Sequence, residues 1–473
     1  MNKNSTSEIV DTLVKKAHEA QIVFEKYNQN QVDEVVTAVA WALCKPSTNE
    51  LISNLAVSST GLGDVEDKIL KNRRKTLGLL RDLKGVKTVG VINEIKEKGI
   101  IEIAKPVGVV GSITPSTNPA ATPINNIINA LKGRNSIIVS PSPAGSKVFK
   151  ELLVFINKEL EKVKAPKNLI QTFDEPATKE LTNELMLKVN LVIVTGSLNN
   201  VKQAAQSGTP AIGVGQGNVT VIVDETADLK DAAKKIKMSK TFDNATSCSS
   251  ENSLIIIDEI YKKTIDLLTV EGAILLNNEK KELLEKTLWV DGRLNREVIA
   301  KPAKFIADKI KLDVDNNVKI LMIEEEGIGN KFLFSGEKLS PVLTLYKAKN
   351  FEHAKEIAHK ILNHQGIGHS IGIHSKNNDR VMEIGLELPV CRVIVNQAHT
   401  FATGGSFTNG LPFSLSMGCG TWQKNSIDNN LNYKHFINTT KISTTIKGSE
   451  AKLKDYFEDY CKKYSPGESI DFE

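Results

Sequence analysis

A chain of 473 residues, 40% hydrophobic and 25% charged, has ordinary globular composition and enough length for two or three domains with their own cores. Its net charge of +5 is small for that length, and basic and acidic residues interleave without a basic, aromatic-studded stripe, which argues against a nucleic-acid footprint. No apolar run is long enough to span a bilayer, and five scattered cysteines without CxxC spacing exclude a disulfide framework and a zinc site.

The start, Met1 to Glu8, leads into a charged helix and not into an apolar signal core. Together with the cysteine usage this points to the reducing cytoplasm, with no metal site expected. Helical periodicity runs over 5–44 and 45–85, carried by Ile9, Leu13, Ala17, Ile22, Val35, Val36 and Ala40, with Pro46 breaking the run. β-like stretches follow at 99–106 and 107–113. Short strands are then expected at 136–140, 168–173 and 190–195, separated by helices at 145–163, 177–187 and 198–207. Such alternation is the signature of a parallel, doubly wound sheet. A strand at 219–224 and a helix near 227–239 lead into a second α/β block with strands at 253–258, 318–323, 342–347, 370–373 and 393–396. A Gly-rich stretch, 404–422, ends in a polar tail that still carries Phe436, Ile437, Ile442 and Ile446. The tail reads either as an arm that packs on a partner subunit or as a frayed terminus.

Cys248 lies in Thr241-Phe-Asp-Asn-Ala-Thr-Ser-Cys248-Ser-Ser-Glu251, the one cysteine in a hydroxyl-rich segment. Ser247, Ser249 and Ser250 do not belong in an apolar core, and a thiolate there is a strong nucleophile for carbonyl chemistry. Cys44 and Cys391, beside apolar runs, read as core. Thr195-Gly196-Ser197 closes a strand and opens a helix, where backbone N–H groups can meet a phosphate; it reads equally as a cap and a tight turn. The usual GxGxxG fingerprint follows none of the strands. Gly213-Val-Gly215-Gln-Gly217-Asn218 is a close-approach loop or a flexible one. Among eight histidines, His369 falls where a strand begins, a suitable place for an acid/base group with a pKa near working pH, or for a structural histidine.

These segments, in this order, resemble the CoA-acylating branch of the aldehyde dehydrogenase superfamily, from about residue 10 to about residue 445. The pieces that carry the likeness are Thr60-Gly-Leu-Gly63-Asp-Val-Glu-Asp67-Lys68, Thr114-Pro-Ser-Thr-Asn118-Pro119, Lys132-Gly-Arg-Asn135, Gly215-Gln-Gly-Asn218, Asn244 to Cys248, Gly368-His369-Ser370 and Ser416-Met-Gly-Cys-Gly420-Thr-Trp-Gln-Lys-Asn425-Ser426.

The resemblance implies an aldehyde dehydrogenase fold. Residues 1–239 would form the N-terminal helices and a Rossmann-like cofactor domain, 240–424 an α/β catalytic domain, and 425–473 a C-terminal return and oligomerisation tail of a homodimer or homotetramer. Cys248 would be the nucleophile and Asn118 the oxyanion donor, with His369 an acid/base for the CoA step. Gly196 and Ser197 would meet the cofactor pyrophosphate, the Gly215 and Gly217 turn would border the cofactor, and Glu337 would hold the nicotinamide ribose.

Hydrolytic relatives carry a deacylating glutamate where this chain has Gly213 or Val214, so the resemblance implies CoA as acyl acceptor. No carboxylate stands in Ser140-Pro-Ser142-Pro-Ala-Gly-Ser-Lys147, where NAD-preferring relatives hold the adenosine ribose. Ser140 and Ser142 with Lys147 leave room for a 2′-phosphate, so NADP is favoured over NAD. The segments 387–399 and 409–420 look most like members acting on sulfoacetaldehyde, then on succinate semialdehyde, with acetaldehyde or butyraldehyde open. Arg392 and His399 would offer positive charge to such an anion, although Arg392 is equally suited to a structural pair.

Overall fold

The computed structural model describes residues 3–448 and 450–467. Four N-terminal helices, Lys3–Phe24, Gln29–Cys44, Pro46–Thr60 and Val65–Leu83, replace the two long helical runs expected from periodicity. Local chemistry makes the breaks. Asn28 accepts from the Gln31 amide at 3.0 Å while the Gln31 side chain accepts from the Asn28 amide at 3.0 Å, a reciprocal cap that restarts the helix. Gly61, at φ 70°, ends the third helix, and Asp64 caps the fourth.

The first sheet is parallel and five-stranded, in the order Ile170–Thr172, Ser136–Pro141, Val109–Thr114, Leu191–Val194, Ala211–Gly213. The chain steps outward on one side of Val109–Thr114 and then returns to its other side. This makes the carboxyl ends of Val109–Thr114 and Leu191–Val194 a topological switch point, where open α/β sheets leave a crevice. Ile137, Ile138 and Val139 are fully buried on both faces, as the β-branched runs require.

The second sheet has seven strands, all parallel: Ala273–Leu275, Ile320–Glu324, Val342–Ala348, Glu251–Ile257, Val219–Val223, Ile371–His374 and Val393–Val395. Val219–Val223 pairs with Glu251–Ile257 and Ile371–His374, so the change of sheet falls between Gly213 and Val219, ahead of the boundary expected at 239. The strand joins the sheet its hydrogen bonds reach, and sequence pattern alone carries no pairing information.

The polar tail contributes Ile437–Ser443, which pairs antiparallel with Ile100–Pro106 and, through it, with Gly90–Ile95 in a third, three-stranded sheet. The following helix, Leu453–Tyr464, buries none of its side chains and exposes Tyr456, Phe457, Tyr460 and Tyr464. Among the described residues no helix is long and apolar enough to cross a membrane.

Candidate active site

The helix Leu229–Thr241 runs into the segment that carries Cys248. Asp243, Asn244 and Ala245 take φ values of 51°, 50° and 59°, three consecutive non-glycine residues in the left-handed region. That conformation costs energy and persists only where the surroundings enforce it. The buried Asp243 carboxylate does so: it accepts from Lys68 Nζ at 3.0 Å, from Lys71 Nζ, from the Asp64 amide at 2.8 Å and from Thr246 Oγ1 at 2.7 Å. The Asp243 amide donates to Asp67 at 2.7 Å. Burial opposes the charge on Asp243, yet Lys71 and Lys68 hold its pKa below the ordinary carboxylate value. A Cβ at Gly63 would collide with that carboxylate, which accounts for glycine there. The motif 60–68 therefore clamps the loop that carries Cys248.

Cys248 opens onto a cavity of about 500 Å³, which Asn118, Gly196, Ser197, Gly215, Gly217, Glu337 and His369 also line. Ser140 and Ser142 lie outside it, at the carboxyl end of Ser136–Pro141. Ser140 is buried against Thr182, 3.1 Å away, and Ser142 caps the turn 143–145. The two glycines of the 213–218 turn have packing reasons as well. A Cβ on Gly217 would run into the Cys248 carbonyl, and one on Gly215 into the Gln423 side chain. Gln423 and Asn425 hold the turn in place, accepting from the Gln216 amide at 2.9 Å and from the Gly215 amide at 3.0 Å.

Asn118 Oδ1 accepts from Lys71 Nζ at 2.9 Å, which leaves its Nδ2 hydrogens as donors toward the cavity. Burial, and then the negative charge of Glu337, push the Cys248 thiol up to about 12. Glu337 is itself raised to about 7 by burial, with Gln216 Nε2 donating to it at 3.0 Å.

His369 departs from expectation. Burial, with Arg392 and His399 adding to it, lowers its pKa to about 3 and not to a value near working pH, so the ring stays neutral. Its Nδ1 lies 2.8 Å from Ser370 Oγ, and its buried Nε2 has no partner among the described residues. Arg392 and His399 are not available to a substrate. Arg392 is buried and donates to Asn430 Oδ1 at 2.8 Å and to the His369 and Gly418 carbonyls at 2.9 Å each. His399 is fully buried, faces the Ser249 carbonyl at 3.0 Å, and is lowered by burial to about 4. Neither lines the cavity. The cations that do are Lys71, Arg74 and Lys75, on one face of Val65–Leu83. In sequence they look like a solvated basic run, and only their i, i+3, i+4 spacing hints otherwise. The cysteine readings also shift: Cys419 is the buried one, while Cys44 and Cys391 are half-buried at packing boundaries.

Residues 2–278 match the model of the Aldehyde dehydrogenase family. A sulfoacetaldehyde dehydrogenase (acylating) of Cupriavidus necator is 49% identical over 96% of this chain and 93% of its own length. The chain belongs to the acylating aldehyde dehydrogenases. A succinate-semialdehyde dehydrogenase (acetylating) of Clostridium kluyveri is 40% identical, covering 95% of this chain and 98% of its own. The crystal structure of an acetylating aldehyde dehydrogenase from Geobacillus thermoglucosidasius superposes with a TM-score of 0.91 at 35% identity, over 95% of this chain and 99% of that one.

In this aldehyde dehydrogenase the turn after Ala211–Gly213 places Val214 on the cavity wall, and Glu337 is the one carboxylate among the lining residues. The crevice at the switch point suits a dinucleotide. A Cβ at Gly196 would find nothing closer than Pro115 at 4.0 Å, and the N-terminus of helix Leu198–Gln206 opens beside it.

Proposed function

We propose that this aldehyde dehydrogenase interconverts a small anionic aldehyde and its CoA thioester, with sulfoacetaldehyde the first substrate and succinate semialdehyde the second. The observation that carries the reading is Cys248 in a cavity that has an oxyanion donor and an apolar Val214 where a water-activating carboxylate would be needed. The sulfoacetaldehyde and succinate-semialdehyde relatives support the choice of aldehyde.

The Cys248 thiol gives up its proton to solvent, the thiolate Sγ bonds to the carbonyl carbon, and the carbonyl π pair moves onto the oxygen, held under Asn118 Nδ2 and the Cys248 backbone N–H. A nicotinamide, when bound, would supply the acceptor for the hydride that this carbon gives up. Glu337 would hold its ribose, Gly196 and Ser197 its pyrophosphate beside the Gly215 and Gly217 turn, and Ser142 the 2′-phosphate of NADP, favoured over NAD; Ser140, expected to share that role, is buried against Thr182. Cys248 then carries the acyl group as a thioester. No carboxylate stands at Gly213 or Val214, so the CoA thiol, its proton lost to solvent, displaces Cys248 as the thiolate. The unpaired Nε2 of neutral His369 would accept a hydrogen bond from the CoA thiol at the cavity wall. Each step runs in both directions.

We place the enzyme in the cytoplasm as a homodimer or homotetramer; the exposed aromatic face of Leu453–Tyr464 supports an interface with a second copy. The test is reduction of NADP and NAD with sulfoacetaldehyde, succinate semialdehyde and acetaldehyde, with and without CoA. CoA-dependent turnover that Cys248→Ala abolishes is the expected result. Free acid formed at full rate without CoA would overturn the reading.

A further inference from the structure

We infer that Arg74 and Lys75 form the anion-binding end of the aldehyde pocket and select aldehydes carrying a terminal sulfonate or carboxylate. The inference rests on the substrate reading above and assigns it to residues. Both side chains line the cavity that holds Cys248 and Asn118, and both project from Val65–Leu83 one turn beyond Lys71.

What separates them from Lys71 is their lack of a counter-ion. Lys71 is committed to Asp243 and Asn118. Among the described residues neither Arg74 nor Lys75 pairs with a carboxylate. Lys75 makes one hydrogen bond, to the Gly404 carbonyl at 2.6 Å, leaving two of its three N–H donors free. The Arg74 guanidinium lies over the rings of Phe401 and Phe407, at 5.2 and 5.4 Å from their centroids, with its five donors uncommitted to any acid. Phe401, and Phe413 beside Lys75, line the same cavity, so the surroundings of the two cations are largely apolar. Burial lowers the pKa of Lys75 to about 7 and that of Arg74 below its ordinary value.

Lys75, desolvated at an apolar cavity wall without a counter-ion, is costly to keep charged unless the bound ligand supplies the missing charge, and the half-buried Arg74 adds a second positive group beside it. A sulfonate or carboxylate with three or two oxygens matches the planar fork of Arg and the point charge of Lys. A neutral aldehyde leaves both unpaired. A site built to meet a substrate charge discriminates against analogues that lack it far more strongly than one that merely accommodates an extra group.

The experiment compares kcat/KM for sulfoacetaldehyde, succinate semialdehyde and propionaldehyde in the parent, Arg74→Gln, Lys75→Met and the double variant. The ratio of anionic to neutral kcat/KM should fall about 10-fold or more in each single variant and about 100-fold or more in the double, mainly through KM. Lys75→Arg, which keeps the charge, should restore most of the ratio. Arg73→Gln, on the exposed face of the same helix, should keep the parent ratio. The sulfonate and carboxylate arms show which head group the site prefers. A folded double variant with the parent ratio, or an equal drop in Arg73→Gln, overturns the assignment and leaves the substrate reading standing. A parent enzyme that prefers propionaldehyde overturns the substrate reading itself, and the assignment with it.

Discussion

Lys71 Nζ lies 2.9 Å from Asn118 Oδ1 and also donates to the Asp243 carboxylate, so one buried ammonium holds both the Asn118 amide and the loop that carries Cys248. Asn118 follows a strand of the five-stranded sheet, and Cys248 precedes a strand of the seven-stranded one. The link between them is a side chain of a helix that belongs to neither sheet.

Asn118→Ala removes the oxyanion donor and should lower kcat by about 10² to 10³-fold. Lys71→Met should lower kcat as well, and should also lower the melting temperature, because Asp243 loses one of its two ion-pair partners. Steady-state kinetics with thermal unfolding separates the two effects. An Asn118→Ala enzyme with parent kcat would remove Asn118 from the oxyanion site.

The raised thiol of Cys248 has a direct readout. Without cofactor, alkylation of Cys248 by iodoacetamide should be slow at pH 7 to 8 and should climb steadily with pH, because the thiolate is scarce until the pH approaches about 12. Glu337→Gln takes away a negative charge that opposes the thiolate and should speed alkylation at pH 8 several-fold. Peptide mass spectrometry over a pH series measures both, and an unchanged rate in Glu337→Gln would contradict the electrostatic link.

Gly217→Ala places a methyl group against the Cys248 carbonyl and must move either the turn or the loop. A displacement of the nucleophile by about 1 Å costs on the order of 10²-fold in turnover. The expected enzyme is folded by circular dichroism and at most one-hundredth as active. Parent activity would show that the loop yields freely.

Acid should destabilise this fold through its buried histidines. His374 is buried and lowered by desolvation from 6.5 to about 4, so between those values the unfolded chain takes up a proton that the folded chain refuses. Its share of stability is present above about pH 6.5 and is lost as the pH falls through 4. Glu251 and Glu337, raised by burial to about 7, act in the opposite sense, losing stability as the pH rises from 4.5 through 7. His374 lies outside the cavity, so His374→Phe isolates one group. The loss of unfolding free energy between pH 7.5 and pH 5 should shrink by about 1 to 2 kcal/mol in that variant, measured by urea titration. An undiminished pH dependence would count against a neutral His374.

Much of the site was legible in the primary structure. Cys248 stands out because three serines beside a cysteine make no sense in an apolar core, and the strands at 136–141, 191–194, 219–223 and 251–257 follow from short β-branched runs. The positive charge was misplaced. Arg392 and His399 lie near the right motifs, but the Arg392 donors go to Asn430 Oδ1 and to the His369 and Gly418 carbonyls, which is the structural role it was equally suited to, and His399 is buried with Nδ1 against the Ser249 carbonyl. Lys71, Arg74 and Lys75 sit in a run of charges that any exposed helix would tolerate. Ile437–Ser443 was hidden for a related reason: an edge strand needs little apolar burial when its partner is Ile100–Pro106, more than 300 residues away.

By itself the sequence determined the family, the alternation of strands and helices, and the absence of a glutamate at 213–214, and it singled out Cys248 as the candidate nucleophile. Those depend on residue identity and on local periodicity, which a linear chain states outright. The tertiary structure alone decided which strand joins which sheet, which cations face Cys248, and which titratable groups are neutral. Those properties depend on distance and desolvation between segments far apart in the chain. His369 and Lys75 carry the same side chains in the unfolded protein; burial is what drives one to about 3 and the other to about 7.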